Sequence, residues 1–446
     1  MAPFAKTGGL ADVAGSLPLA LGRLGIEVMV LMPKYRGIEF SEKRLSDHVQ
    51  VHFIEHEPFF NRSGLYGHQD SDYADNLDRF SYFSRECLTA AKRLGFKPDV
   101  AHAHDWHASL IPVLLKTEFL ADDFFKQTKS LLTIHNLAYQ GVFAASEYKK
   151  IGLSQELFSV AGFEFYGMVN LLKAGLLFAD RLNTVSPAYA KEIQTVEFGC
   201  GLEGVLRQRK NKLSGILNGI DTQAWNPATD TKLSAGYSAE SLAGKKICKA
   251  SLQKKYGLEV NPQIPLLAVV SRLAHQKGLD LIAQALPDLI SSPLQLVILG
   301  DGDADYRRLF ERLGRDYPAQ VKVSLGFQVM AAHEIYAGAD LFLMPSQFEP
   351  CGLGQLISMR YGTIPVVRAT GGLKDTVIDA DQDPKKGNGF SFDLFDSKSF
   401  LSAVNRAMKA YRDQERWNLL MTCAMKCNFS WDESAKKYEQ LYREAV

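Results

Sequence analysis

The chain has 446 residues, and 51 Lys+Arg against 50 Asp+Glu leave a net charge of +1, which speaks against a basic nucleic-acid binder. A hydrophobic fraction of 46% with 23% charged residues excludes disorder on a large scale. Apolar runs reach only about five to seven residues, too short to span a membrane. Six Cys without a C-x-x-C pair do not make a disulfide scaffold, and residues 1–20 lack the apolar core of a secretory signal. A reducing cytoplasm, with no nucleic-acid or membrane partner, is the expectation.

Short apolar runs alternate with helix-periodic segments along nearly the whole length. The strand candidates are Glu27–Met32, Asp99–His104, Ser130–His135, Leu182–Val185, Pro265–Ser271, Leu294–Leu299, Val321–Leu325, Asp340–Met344 and Ile364–Val367. Each is nearly continuous in apolar residues and ends at a polar or Gly/Pro break, as strands buried on both faces of a parallel sheet do. Between them, Leu279, Ile282, Ala283, Leu286 and Leu289 illustrate helical spacing. The class is therefore α/β, with helices on both sheet faces. A polar, Lys-rich stretch between about Asp221 and Pro265 interrupts the alternation, so two doubly wound domains are expected to meet near Lys212–Asn218. Thr7-Gly8-Gly9-Leu10-Ala11-Asp12 is echoed late in the chain by Thr370-Gly371-Gly372-Leu373-Lys374-Asp375; two related helix openings and two unrelated turns both fit.

Doubly wound sheets bind ligands beyond the carboxyl ends of their strands, so the residues there are the site candidates. Lys6-Thr7-Gly8-Gly9 precedes a helix; paired glycines let backbone approach a ligand, and a helix start favours anions. His102-Ala103-His104-Asp105-Trp106-His107 ends a strand. Strand residues two apart share a face, so only part of this set converges, and a polar substrate wall is preferred to a metal site. His135-Asn136 ends the next strand in the same way. Further on, Ser271-Arg272 and Gln276-Lys277-Gly278 bring a guanidinium and an ammonium to a helix start, as a diphosphate requires. Gly300-Asp301-Gly302 reads as a nucleotide-proximal turn, and Phe327, after Gly326, fits either a ring stacked on a base or an ordinary core residue. Finally Glu349 stands between an apolar strand and the glycines of Cys351-Gly352-Leu353-Gly354, where a carboxylate can hold sugar hydroxyls.

Taken in order, K-T-G-G-L-A-D-V at 6–13, H-A-H-D-W-H at 102–107, I-H-N-L-A-Y-Q-G at 134–141, L-N-G-I-D at 217–221, S-R-L-x-x-Q-K-G at 271–278, F-E-P-C-G-L at 348–353 and R-Y-G-T-I-P-V-V-R-A-T-G-G-L at 360–373 resemble the bacterial glycogen synthase and plant starch synthase family. The resemblance implies two Rossmann-like domains facing a deep cleft, the GT-B glycosyltransferase arrangement. It implies an acceptor-side domain over 1–213 completed by a crossing helix over 429–446, and a nucleotide-sugar domain over 214–428. The implied reaction is a retaining transfer of glucose from ADP-glucose to the non-reducing end of an α-1,4-glucan, without metal or cofactor; UDP-glucose as donor and a catalytically silent glucan-binding relative are the alternatives.

By the same resemblance Lys6 lies at the phosphates and acceptor with Gly8 and Gly9. Arg272 and Lys277 neutralise the departing diphosphate. Glu349 contacts the donor glucose, backed by the amides of Cys351, Gly352, Leu353 and Gly354, and His135 meets the glucose with Asn136 beside it. Asp105 is a polar wall residue, Asn218 the hinge asparagine, and Asp12 the aspartate after the glycine loop. Phe327 stands where the family often has a Tyr, Gly354 where many members have Thr, and Ile357 where the wider group has a second Glu. Family members also begin with an apolar strand ahead of the glycine loop. Here Met1-Ala2-Pro3-Phe4 opens directly at the loop, so a truncated chain or a misassigned start is expected.

Overall fold

All nine expected strands are present in the computed structural model, which describes residues 1–446 apart from Gln69, Asp70 and Phe327. Phe327, the expected base-stacking ring, thus lies outside the described residues. The chain divides into two compact units, Met1–Gly219 with Trp431–Val446, and Ile220–Ser430.

The first unit carries seven main strands: β1 Val28–Pro33, β2 Glu42–Ser46, β3 Val49–Ile54, β4 Val100–His104, β5 Lys129–Ile134, β6 Arg181–Thr184 and β7 Leu213–Gly215. They form two sheets, ordered β1-β3-β2 and β7-β6-β5-β4. All pairings are parallel except β2 with β3, which puts the one antiparallel strand at a sheet edge. Helix α1, Gly9–Arg23, turns Val13, Leu17, Ala20 and Leu21 into a cluster with Trp431, Ala435, Tyr438 and Leu441 of the C-terminal helix, Trp431–Ala445. The apolar positions of both helices recur three or four residues apart, so each presents one stripe to the other. Polar side chains finish this contact: Tyr438 Oη lies 2.9 Å from Asn183 Nδ2, and Ser434 Oγ donates to Leu217 O at 2.6 Å. Helix α2, Asn76–Arg93, buries Leu77, Phe80, Phe83 and Cys87 in the larger core on the other side.

The second unit holds one six-stranded, wholly parallel sheet: β8 Leu266–Val270, β9 Gln295–Gly300, β10 Val321–Leu325, β11 Leu341–Met344, β12 Ile364–Arg368 and β13 Phe390–Phe392, in the order β10-β9-β8-β11-β12-β13. The inner strands β8, β9, β11 and β12 are buried on both faces, which explains their largely apolar character, whereas the edge strand β10 carries Lys322 and Ser324 and is only partly covered. The Lys-rich stretch before β8 is not a solvated break. Within its helix, Ala243–Lys255, Lys245 and Lys249 are buried. Lys249 Nζ pairs with Asp340 at 2.7 Å, and Lys245 Nζ donates to Ala337 O, Tyr361 O and Thr363 Oγ1. Burial pushes the Lys245 ammonium down to about 7, yet three oxygen partners satisfy it.

Candidate functional site

The strand order of the second unit reverses between β8 and β11. Crossovers wind to opposite faces on the two sides of such a point, so the loops at the carboxyl ends of the strands part and leave a crevice. The loop after β8 carries Arg272 and Lys277; the loop after β11 carries Glu349. Lys277 Nζ lies 2.7 Å from Glu349 Oε2, which also accepts from Ser346 Oγ at 3.0 Å. Glu349 is only 6% exposed, and a carboxylate so far from water requires such partners. Arg272 is exposed, and among the described residues no carboxylate pairs with it.

Backbone locks the two loops together. Gln276 Nε2 donates to Phe348 O at 3.0 Å, and the Gln347 amide donates to Gln276 O at 2.9 Å. Gly278 has φ +62°, and a Cβ there would sit 2.0 Å from Pro345 O, so this turn into α3, Leu279–Leu289, admits only glycine. Beneath Glu349 lies the late glycine pair, which opens the short helix α5, Gly371–Thr376, next after α4, Gly354–Arg360. The Gly372 amide donates to Glu349 O at 3.0 Å. A Cβ on Gly371 would stand 2.0 Å from Glu349 O, and one on Gly372 2.1 Å from Cys351 O. Gly352 turns the chain at φ +72°, Cys351 is buried, and Leu353 caps α4. Gly354 has a packing reason of its own: a Cβ would meet the Phe342 ring at 2.9 Å, leaving no room for Thr.

In the first unit the candidates gather at the ends of β4 and β5. Asp105 follows β4 in the left-handed region, φ +53°, which aims its buried carboxylate at the end of β5. There it accepts the His135 amide at 2.7 Å. Burial drives this carboxyl up to about 7, opposed by the amides of His135 and Asn136. The His135 ring meets His104 Nδ1 through Nε2 at 3.0 Å, and burial holds both imidazoles below the usual range, His104 at about 4. The His102 ring lies tilted against His104 with centroids 4.1 Å apart, and it bonds Thr133 and Tyr442. The Asn136 side chain is engaged in a local turn, accepting the Ala138 amide at 3.1 Å. Asn218 is buried, and its Oδ1 has no hydrogen-bond partner among the described residues.

At the start of α1, Lys6 Nζ pairs with Asp12 at 2.6 Å on the surface. Gly8 and Gly9 are exposed, and an added Cβ would meet nothing within 4 Å at either. Their small size is not demanded by the chain's own packing. Among the described residues no group of three or more His, Cys, Asp or Glu is placed to hold a metal.

The structure thus joins Lys277 with Glu349, Asp105 with His135, and Lys6 with Asp12. Ser346 and Gln276 join the site through the fold, and Gly371-Gly372 supports Glu349 from beneath. His104 joins it through His135. The i, i+2 spacing from His102 to His104 is the signal for His104, and the motif S-R-L-x-x-Q-K-G at 271–278 is the signal for Gln276; Ser346 carries none.

A family profile described as the starch synthase catalytic domain matches residues 1–208, and one described as glycosyl transferases group 1 matches residues 253–418. A glycogen synthase of Syntrophotalea carbinolica is 46% identical, with 100% of this chain and 97% of the relative covered. Glycogen synthase 2 of Geobacter sulfurreducens is 47% identical over the same shares. The chain belongs to the glycogen and starch synthase family. Among solved structures, the catalytic domain of starch synthase IV from Arabidopsis thaliana, bound to ADP and acarbose, superposes with a TM-score of 0.91 at 37% identity, covering 100% of this chain and 97% of that one. A sucrose-phosphate synthase from Thermosynechococcus elongatus, 19% identical with a TM-score of 0.66, shares the fold. The fold class is GT-B, built on two Rossmann-like units, and the chain is a glycosyltransferase of this family.

Proposed function

We propose that the protein is a glycogen synthase that transfers glucose from ADP-glucose to the non-reducing end of an α-1,4-glucan with retention of configuration. The reading rests on the Lys277–Glu349 pair at the switch point of the second sheet, with exposed Arg272 on the same loop as Lys277. Breaking the bond between glucose C1 and the diphosphate oxygen leaves negative charge on ADP and positive charge on the sugar ring. Arg272 offers a planar fork and Lys277 a point charge to the former. Fixed charges aimed where charge develops are commonly the largest catalytic contribution. Glu349 is held by Lys277 and Ser346 beside the developing oxocarbenium ion. In the front-face course we favour, the acceptor hydroxyl attacks C1 on the side from which phosphate leaves. The departing phosphate oxygen takes the hydroxyl proton, so the products are the lengthened glucan and ADP. On the first unit, His135, with Asp105 fixing its backbone and His104 its ring, presents a neutral imidazole to a sugar hydroxyl.

Support also comes from the ADP and acarbose bound by the starch synthase IV relative, a nucleoside diphosphate and an oligosaccharide-like ligand. The test is ADP release from ADP-glucose in the presence of glycogen, run in competition with UDP-glucose. Glucan-dependent release from ADP-glucose, with UDP-glucose a poor competitor, is expected. Faster transfer from UDP-glucose, or none from either donor, overturns the reading.

A further inference from the structure

A small antiparallel sheet stands beside the main sheets of the first unit. Met168–Asn170 is its middle strand, paired with Val142–Ala144 on one side and Glu164–Phe165 on the other. Tyr166 and Gly167 form the two-residue turn of the second pair, at φ +50° and +76°. Such a turn needs both residues in the left-handed region, so Asn-Gly and Asp-Gly are its usual sequences. A bulky side chain at the first position is strained. Packing within the chain does not offset the strain, because Tyr166 is 82% exposed. Its ring meets that of Phe165 edge-on, with centroids 4.7 Å apart.

We propose that Tyr166 is a sugar-stacking residue, whose ring packs on a glucose unit of the acceptor glucan outside the reacting centre. The assignment rests on the glucan acceptor of the proposed reaction and names a contact for it.

The hairpin is built to hold this ring still. Lys173 is buried, and its Nζ donates to the carbonyls of Val160, Gly162 and Glu164 at 2.6, 3.0 and 2.7 Å. Asn170, also buried, accepts the Lys173 amide at 2.8 Å and donates to Gln140 Oε1 at 2.6 Å. Gln140 Nε2 donates in turn to Leu137 O at 3.2 Å and to Cys200 O at 3.0 Å. Across the turn, Glu164 Oε1 accepts the Gly167 amide at 2.8 Å. A left-handed Tyr persists only where its surroundings over-determine it. A ring fixed in this way also loses little freedom when a ligand docks on it.

Placement and size point to the glucan. The hairpin leads through Asn170 into the helix Leu171–Phe178, which returns the chain to the start of β6. In a parallel sheet the first turn of such a helix lies with the carboxyl ends of the strands, the end that carries Asp105 and His135. Leu137, tied to Gln140, is two residues past His135. One tyrosine ring buries about 150–250 Å², whereas a protein interface needs about 800 Å² per partner. The ring does match one pyranose, which has an apolar face of C–H groups, and the phenol can bond a sugar hydroxyl. An acceptor that reacts at its non-reducing end must carry its remaining glucose rings away over the enzyme surface.

The experiment compares Tyr166→Asn and Tyr166→Phe with the unaltered chain. The readouts are retardation in native gels containing glycogen, KM for glycogen at saturating ADP-glucose, size-exclusion profile and Tm. Asn suits the left-handed turn but removes the ring, while Phe keeps the ring. Tyr166→Asn is expected to weaken glycogen binding about 10-fold, with KM for glycogen raised to match. Its Tm should hold or rise, by about 2 °C. Tyr166→Phe is expected to bind glycogen within about 3-fold of the unaltered chain. The proposal is overturned if Tyr166→Asn binds glycogen as the unaltered chain does; an altered size-exclusion profile in that case would assign the ring to a second copy of the chain. Loss of Tm together with affinity in Tyr166→Asn would make the ring structural and overturns it too, as does a loss in Tyr166→Phe equal to that in Tyr166→Asn. Retardation needs no donor, so the two readings fail separately. Glycogen binding through Tyr166 without transfer supports the contact and sinks the reaction, and transfer with binding indifferent to Tyr166 does the reverse.

Discussion

Lys277 and Glu349 neutralise each other across 2.7 Å, so replacing either alone disturbs both stability and charge. Lys277→Ala leaves a buried carboxylate unpaired, worth about 3–5 kcal/mol of destabilisation. It should also lower kcat by roughly 10²–10³-fold, the usual loss for one electrostatic stabiliser. The stability effect is isolated in the double variant Lys277→Ala/Glu349→Gln, whose urea midpoint should recover, while the kcat effect is read from Lys277→Ala alone at a temperature where it stays folded. Arg272→Ala, at an exposed position, should lose kcat by the same factor without a stability change. Near-full turnover by either Arg272→Ala or Lys277→Ala would refute the diphosphate clamp. The two glycine pairs offer a second contrast. Gly8→Ala meets open space and should fold normally, whereas Gly372→Ala puts a methyl 2.1 Å from Cys351 O, forcing the Glu349–Cys351 turn to move. Its kcat should fall about 10-fold or more, since a shift of about 1 Å at a catalytic group costs on that scale; unchanged kcat would show that the turn under Glu349 has no positioning role.

At the level of elements, the first unit depends on β4, β5 and the C-terminal helix, and two measurements probe them. The strand ends carry His102, His104 and His135, each half-buried, with His107 in the short helix that follows β4. Burial lowers all four imidazoles, His104 to about 4 and His107 to about 3, while an unfolded His titrates near 6.5. Between those values the unfolded chain binds more protons, so stability present above pH ~6.5 is lost as pH falls toward ~4. Asp105 acts in the opposite sense, because its carboxyl, raised to about 7, binds the extra proton in the folded state. Four histidines outweigh one aspartate, so urea midpoints should fall from pH 7.5 to pH 5. A flat or rising profile would mean that water reaches these rings. The C-terminal helix is tested by Trp431→Ala, which empties a fully packed site against α1. A loss of about 3–5 kcal/mol is expected, read as faster amide exchange in β4 and β5 with β8 and β11 unchanged; equal acceleration in all four strands would contradict the assignment of the helix to the first unit.

For the whole molecule, charge and periodicity carried far. A balanced composition, nine short apolar strands and the order of the motifs were legible because each is a local property of the chain. A strand buried on both faces must be apolar throughout, and a phosphate-binding turn must be rich in glycine and cation, whatever surrounds it. The sequence by itself therefore determined the α/β class, the family and the identity of the candidate residues. It could not determine which of them touch. Lys277 and Glu349 are 72 residues apart, and only the β8–β11 adjacency at the reversal of strand order brings them together. Lys245 and Lys249 stood out only as part of a polar, Lys-rich stretch, because a lysine and its carbonyl or carboxylate partner become neighbours only through packing. Gly371-Gly372 looked like an echo of Gly8-Gly9, yet tertiary contact makes the late pair the support of Glu349 and leaves the early pair in open space. The division of the first sheet into two pieces was likewise decided in three dimensions, because strand pairing joins residues that the chain itself keeps far apart.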